Sequence, residues 1–387
     1  MRAWRPPARR VRGIAALACI VAVAAATAAE ALRWTHLSQR GDRPAAVHAP
    51  VKKSVALTEL SRAMIPMPTG VPSAHASALA SLPGGKLLSF WWAGSRESGP
   101  DVKVYASRWS NGRWSDNWVV ASRESLSAAL GYGVRRVGNP VAWTAADGTV
   151  HLYVVATGLG GWAASRIVQM ESRDQGATFA VRRVLPMSPV FNTSVLVRTS
   201  PVALADGGWW LPVYFEIGNK YPMLMSFDGH GAPRRVTRIG TGTDALQPTI
   251  VPVSPTEVRA WMRDSGEEQR VQQATSRDGG ESWEDLAPMA VSNQSTSLAA
   301  LRLHTGTILM LYNHVAEGGS SRSVLSLAVS ADGSKWEPVA DIVSGKPGDE
   351  FSYPTMYQVG DELHITYTHQ RRGIAHHQFR IKEEDAT

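Results

Sequence analysis

Beyond an apolar leader and a polar stretch, short apolar runs alternate with turn signals, and one pattern recurs six times. Each copy opens on a small or polar residue, runs through apolar positions, turns, and runs apolar again. The openings are His75-Ala76-Ser77, Asn139-Pro140, Ser200-Pro201, Gln247-Pro248, Ser297-Leu298 and Tyr353-Pro354. The turns are Pro83-Gly84-Gly85, Asp147-Gly148, Asp206-Gly207, Ser254-Pro255, Thr305-Gly306 and Gly360-Asp361. The runs that follow are Lys86–Trp92, Thr149–Val155, Trp209–Phe215, Glu257–Met262, Ile308–Tyr312 and Leu363–Tyr367. They are rich in β-branched and aromatic residues, which predicts strands.

Two further strands follow in most copies, joined by a second turn with its own signature. Ser276-Arg277-Asp278-Gly279-Gly280-Glu281-Ser282-Trp283 is the clearest. Ser172 to Phe179 and Ser330 to Trp336 repeat it, and Ser226-Phe227-Asp228-Gly229 is a degenerate copy. The Asp side chain accepts backbone N–H groups across the loop, Gly supplies positive φ, and the closing Trp or Phe is an apolar plug between neighbouring sheets. Six four-stranded units predict an all-β fold, a six-bladed β-propeller over residues 54–382 that manages its edges by radial closure. Residues 54–66 supply the strand that completes the last blade, whose own tail, Gly373 to Ile381, is short.

The N-terminal segment modifies the charge reading. The formal charge is +7, but Arg2, Arg5, Arg9, Arg10 and Arg12 crowd the first twelve residues, so the remainder is near neutral and gives no case for nucleic acid. The uncharged run Gly13 to Ala29 with Ala26-Thr27-Ala28 has the layout of a secretory signal over residues 1–29; a single membrane anchor through 13–29 is the competing expectation. Either places the protein outside the cytoplasm, periplasmic or secreted, or held at the inner membrane. Residues 30–53 are polar and proline-containing, the composition of a linker. The one cysteine, Cys19, lies in the leader, so a clipped chain has no disulfide, thiolate metal site or Cys nucleophile. Nothing predicts a cofactor or a metal site, although Ca²⁺ held by carboxylates or carbonyls stays open. His376-His377 fall on a strand, where neighbours point to opposite faces, which predicts packing rather than ligation. A monomer is expected.

The Ser-x-Asp-x-Gly-x-x-Trp turns resemble the Asp boxes of the sialidase (neuraminidase) superfamily, whose BNR-type repeats decorate a six-bladed propeller. The resemblance covers about residues 55–381. It implies arginines on a substrate carboxylate, a Tyr nucleophile paired with a Glu, and an acidic proton donor. Tyrosine suits that role because a neutral nucleophile is not repelled by an anionic sugar. By position Tyr353 resembles the nucleophile, Arg263 and Arg322 two of the arginines, and Asp101 or Glu97 the acid. Asn139, Arg96, Gln247, Asn313 and His314 are further substrate-binding candidates near the mouth. The chain departs from the pattern twice: His75 holds the place of the first arginine, and Leu246 or Gln247 that of the Glu.

Three functions follow. The first is an exo-type glycoside hydrolase for sialic-acid-like acidic glycans. The second is a uronate-directed polysaccharide lyase with His75 as base and Tyr353 as acid. The third is a non-catalytic propeller that binds an acidic oligo- or polysaccharide, with Trp91, Trp92, Tyr132 and Trp162 available to stack on sugar rings. For Trp91 and Trp92, packing within the blade is the favoured role.

Overall fold

The computed structural model describes residues 9–35, 42–45, 53–188, 192–315 and 321–385. Six antiparallel sheets follow one another around a ring, neighbouring sheets packed side by side. Blade 1 has inner strands Ser73–Leu82 and Lys86–Gly94, blade 2 Arg136–Thr144 and Val150–Thr157, and blade 3 Val195–Val197 with Val202–Ala203 and then Trp209–Phe215. Blades 4, 5 and 6 begin at Ala245–Pro252, Ala299–Arg302 and Phe351–Val359. The ring closes as the sequence predicts: Lys53–Met64 pairs antiparallel with Gly373–Asp385 as the outermost strand of blade 6.

The core lies between blades. The turns named above explain part of its geometry. Asp174 accepts Ser172 Oγ at 2.6 Å, Thr178 Oγ1 at 2.6 Å and the Thr178 N–H at 3.0 Å. Those bonds, the Ser172 hydroxyl's first, hold its carboxyl down to about 2. The glycines face the neighbouring blade. A Cβ on Gly280 would lie 2.8 Å from the Trp210 ring, and one on Gly333 2.7 Å from Trp261, so glycine lets each turn seat against the preceding blade's second strand. The closing aromatics fill the same seam, with Trp336 edge-on to Trp261 at 5.2 Å and Phe179 edge-on to Phe90 at 5.7 Å.

One element departs from the all-β pattern. The helix Arg123–Leu130 joins blades 1 and 2, capped reciprocally by Ser122 and Ser125 and ended by Gly131 at φ 74°, with Leu126 in the core. The N-terminal segment holds another helix. Arg2 and Arg5 lie outside the described residues. A helix spans Arg9–Thr35; among the described residues no helix is long and apolar enough to cross a membrane. Of the predicted linker 30–53, the stretches 36–41 and 46–52 lie outside the described residues, whereas 42–45 dock on blade 3. Ala45 N–H donates to Ala203 O at 3.0 Å and Ala205 N–H to Arg43 O at 2.9 Å. Buried Asp42 accepts from Trp210 Nε1 at 3.3 Å and faces Arg234 at 3.5 Å.

Candidate active site

Each inner strand, or the segment leading into it, carries one residue in the left-handed region. Ala76, Asn139, Ser194, Gln247, Ser295 and Tyr353 all have positive φ, between 40° and 59°, and make up half of the non-glycine residues with that conformation among those described. In blades 1, 2, 4 and 6 the ladder there skips two residues: 76–77, 139–140, 247–248 and 353–354. In three of them the second skipped residue is proline, which costs nothing where no ladder partner exists for its missing N–H. The kink turns the opening side chains towards the axis, and backbone strain of this kind gathers at functional sites.

Tyr353 is the centre of the resulting cluster. Arg263 Nη1 donates to its Oη at 3.1 Å and Gln247 Nε2 approaches at 3.5 Å. The Arg198 guanidinium carbon lies 4.9 Å from the ring centroid and that of Arg322 5.9 Å. Beneath it, the His75 ring packs at 4.1 Å. Arg198 is 2% exposed and held by Ser77 O at 3.2 Å and Pro354 O at 3.0 Å. Burial lowers its pKa to about 10, which still leaves it cationic at neutral pH. Glu350 bridges Arg322 to one further arginine, accepting Arg322 Nη1 at 2.7 Å and Arg371 Nε at 2.8 Å. The second Arg371 arm pairs with Glu97. Burial, then the charges of Arg371, Arg198, Arg322 and Arg263, push the His75 pKa well down, so its imidazole is neutral. Above this cluster opens a cavity of about 260 Å³ lined by Tyr353, Arg263, Gln247, Asn139, Tyr214, Glu216, Glu97, Ser98, Trp92 and Trp162.

The sequence-predicted residues separate into those at the cavity and those elsewhere. Tyr353, Arg263, Asn139, Gln247 and Glu97 line it, and Arg322 stands beside it. His75 is 1% exposed and neither ring nitrogen has a partner among the described residues, so a molecule in the cavity meets Tyr353 first. Asp101 is occupied by the turn that contains it, accepting Ser95 N–H and Ser95 Oγ, both at 2.7 Å. Arg96 is exposed, and its carbonyl closes that same turn on Gly99 N–H at 3.0 Å. Asn313 is buried, its amide tying blade 5 to blade 6 through Val324 O at 3.0 Å and Phe351 O at 2.7 Å. His314 lines a different cavity beside Tyr312 and Trp336. These last two are therefore corrected from site to scaffold or to another surface. Trp91 is wholly buried, whereas Trp92 and Trp162 reach the cavity, Trp162 fixed by a 2.8 Å bond to Ser98 Oγ. Tyr132 lies under Arg166 instead.

Arg198, Arg371, Tyr214 and Glu350 are the residues that sequence reasoning missed. Arg371 occupies a hairpin turn, with Gln370 and Arg371 both at positive φ and Arg372 N–H bonded to His369 O at 3.0 Å. Such a turn favours Asn and Gly, so a Gln-Arg pair there is a local misfit that marks the position. Among the described residues no group of three or more His, Cys, Asp or Glu side chains is placed to hold a metal ion.

The profile of the BNR repeat-like domain matches residues 85–365. No curated protein matches the chain in sequence. Among solved structures, a Dyadobacter fermentans protein of unknown function is similar at 13% identity, with a TM-score of 0.67 over 84% of this chain and 99% of its own. The Hadza microbial sialidase Hz136 is similar at 16% identity, TM-score 0.65, over 80% of this chain and 66% of that one. A Trypanosoma rangeli sialidase in complex with sialic acid is similar at 14% identity, TM-score 0.59, over 86% of this chain and 60% of that one. The chain thus spans less than two thirds of either sialidase, and at these identities what is shared is the fold. With the profile covering most of its length, the chain belongs to the BNR repeat-like domain family and folds as a sialidase-like six-bladed propeller.

Proposed function

We propose that the protein is an exported exo-type glycoside hydrolase for acidic, sialic-acid-like glycans, with Tyr353 as nucleophile. One observation carries this: the Tyr353 hydroxyl opens on the cavity with Arg263 Nη1 at 3.1 Å and the guanidinia of Arg198 and Arg322 over its ring. Negative charge that develops on the phenol oxygen during attack meets preorganised cations. The missing Glu bears on this directly. With Gln247 in its place, stabilisation of the forming phenolate by arginines does part of what a neighbouring base would do. Arg263, on the cavity wall, is the group placed for a sugar carboxylate, with Arg322 and Arg371 beside it in the Glu350 cluster. At about 260 Å³ the cavity is small among ligand pockets and suits one sugar unit at a chain end. The solved sialidases of the same fold support the substrate class by analogy.

A uronate lyase would need His75 at the substrate, and its seat beneath Tyr353 argues against that. The test is to incubate the protein with sialylated and uronate-containing glycans, following free sugar and ultraviolet absorbance from an unsaturated uronate together. Sugar release without absorbance, reduced at least about 10²-fold by Tyr353→Phe, is expected. New absorbance would shift the assignment to the lyase, and silence in both channels to a glycan-binding propeller.

A further inference from the structure

A hydrolase of this kind has to move a proton onto the leaving oxygen, and the carboxylates nearest the cavity are mostly committed. Asp101 is bound twice by Ser95, Glu97 is paired with Arg371, and Glu350 serves Arg322, Arg371 and the Ser352 hydroxyl at 2.7 Å. Glu216 differs. It follows the strand Trp209–Phe215, lines the same cavity as Tyr353 and Arg263, and its carboxyl has no hydrogen-bond or ion-pair partner among the described residues. Its backbone N–H donates at 3.2 Å to the carbonyl of Ser194, the kinked residue that opens blade 3, which fixes the loop at the cavity wall. It stands near Tyr214, whose hydroxyl meets Gln247 Nε2 at 3.4 Å and Asn139 Nδ2 at 3.5 Å.

We infer that Glu216 is the proton-transfer carboxylate of the site, a catalytic residue contributed by blade 3. The inference rests on the hydrolase reading above. In the first step the bond from Tyr353 Oη to the anomeric carbon forms as the glycosidic C–O bond breaks. The leaving oxygen takes the Glu216 proton, and the phenol proton passes to water. In the second step a water molecule attacks the anomeric carbon and gives its proton to Glu216. The Tyr353 oxygen leaves and recovers a proton from solvent. The sum is glycoside plus water to free sugar plus alcohol, with both side chains restored. Glu216 still meets solvent, but partial burial of its carboxyl at the cavity wall raises its pKa against the pull of Arg263 and Lys220, in the direction the first step requires.

The experiment compares wild type with Glu216→Gln on two probes: sialyllactose, whose leaving oxygen needs a proton, and the umbelliferyl glycoside of N-acetylneuraminic acid, whose leaving group needs little help. The expected result is a loss of about 10²- to 10³-fold in kcat/KM on sialyllactose, with less than about tenfold on the umbelliferyl glycoside. The alkaline limb of the pH profile should disappear with it. Glu216→Ala supplied with azide should yield the glycosyl azide, since azide needs no base. Equal losses on both probes, or none on either, overturns Glu216 while leaving the hydrolase intact. A wild-type protein inert on both probes overturns the hydrolase reading and Glu216 with it.

Discussion

Blade 6 meets blade 1 across a chain of buried imidazoles, and that chain makes the fold acid-sensitive in a calculable way. Trp114 Nε1 donates to His376 Nδ1 at 3.1 Å, which leaves His376 Nε2–H to donate to His364 Nδ1 at 2.9 Å. His364 Nε2 then points towards Glu362 at 3.7 Å. A proton added to His376 would set an N–H against the tryptophan N–H, and one added to His364 Nδ1 would face the His376 N–H. Burial is the first cause, and both are pushed down, His364 to about 4 and His376 to about 3. His377, between Glu59 at 3.1 Å and the Tyr367 hydroxyl at 3.0 Å, is lowered by burial and by Arg62 although Glu59 opposes it.

The sign follows from linkage. A histidine whose folded pKa lies below its unfolded value binds protons better when unfolded. Stability is therefore intact above the ordinary value of 6.5 and declines as pH falls below it. The decline levels off only near pH 4 to 3, where the folded state also takes up the proton. At 1.36 kcal/mol per pH unit, each of His364 and His376 removes about 2 kcal/mol by about pH 5, so the pair removes about 4. That is a large part of a typical domain's stability. Urea unfolding at pH 7.5 and about pH 5 measures it. His75 and His151 are lowered as well and add to the slope, so His376→Gln isolates the seam: the pH-dependent loss should shrink by about 2 kcal/mol. An unchanged loss in that variant would refute the imidazole chain as its origin.

Two other perturbations follow from the geometry. Gly280→Ala sets a methyl 2.8 Å from the Trp210 ring at φ 92°, and should cost about 2–4 kcal/mol in urea unfolding; a loss under about 0.5 kcal/mol would contradict the seating of this turn on blade 3. Arg371→Met removes the guanidinium that pairs with Glu97 at the cavity wall and with Glu350 behind it, leaving both carboxylates short of a partner, so the Kd of an acidic glycan measured by calorimetry should rise about 10- to 100-fold; unchanged affinity would remove Arg371 from the binding set.

The ring was readable because turns and strands are local. Asp174, Asp278 and Asp332 announce their loops within eight residues, and x-Pro pairs place Asn139, Gln247 and Tyr353 on the kink itself. The same cue misleads in blade 3. Ser200-Pro201 resembles the other openings, yet the kink falls at Ser194, because the inner strand breaks after Val197 and sends Arg198 inward. Blade 5 shifts less, with the kink at Ser295 rather than Ser297. The site was legible only where a residue opens a strand. Glu350 stands three residues before Tyr353 and Arg371 in a hairpin turn of the same blade, but that their charges meet Arg322 of blade 5 beside the site is a matter of blade packing, and no local pattern encodes that. The tie of Asp101 to Ser95 was equally hidden, since an acid reads alike whether it faces a substrate or its own turn. The helix Arg123–Leu130 had a signal, Ser122 and Ser125 before an alanine-rich run, that the strand repeat obscured.

The clasp of blade 6 has a consequence for how the molecule is made. Ser61 Oγ bonds Gln378 Oε1 across 317 residues of sequence, so the strand synthesised first waits for the one synthesised last. While the chain is still emerging, the outer edge of blade 6 has no partner and the ring stays open. Closing so long a loop is slow, and it comes at the end. Truncation back to Gly373 should remove the partner of Lys53–Met64 and leave a ring that cannot lock, and a protease would find it before an assay did.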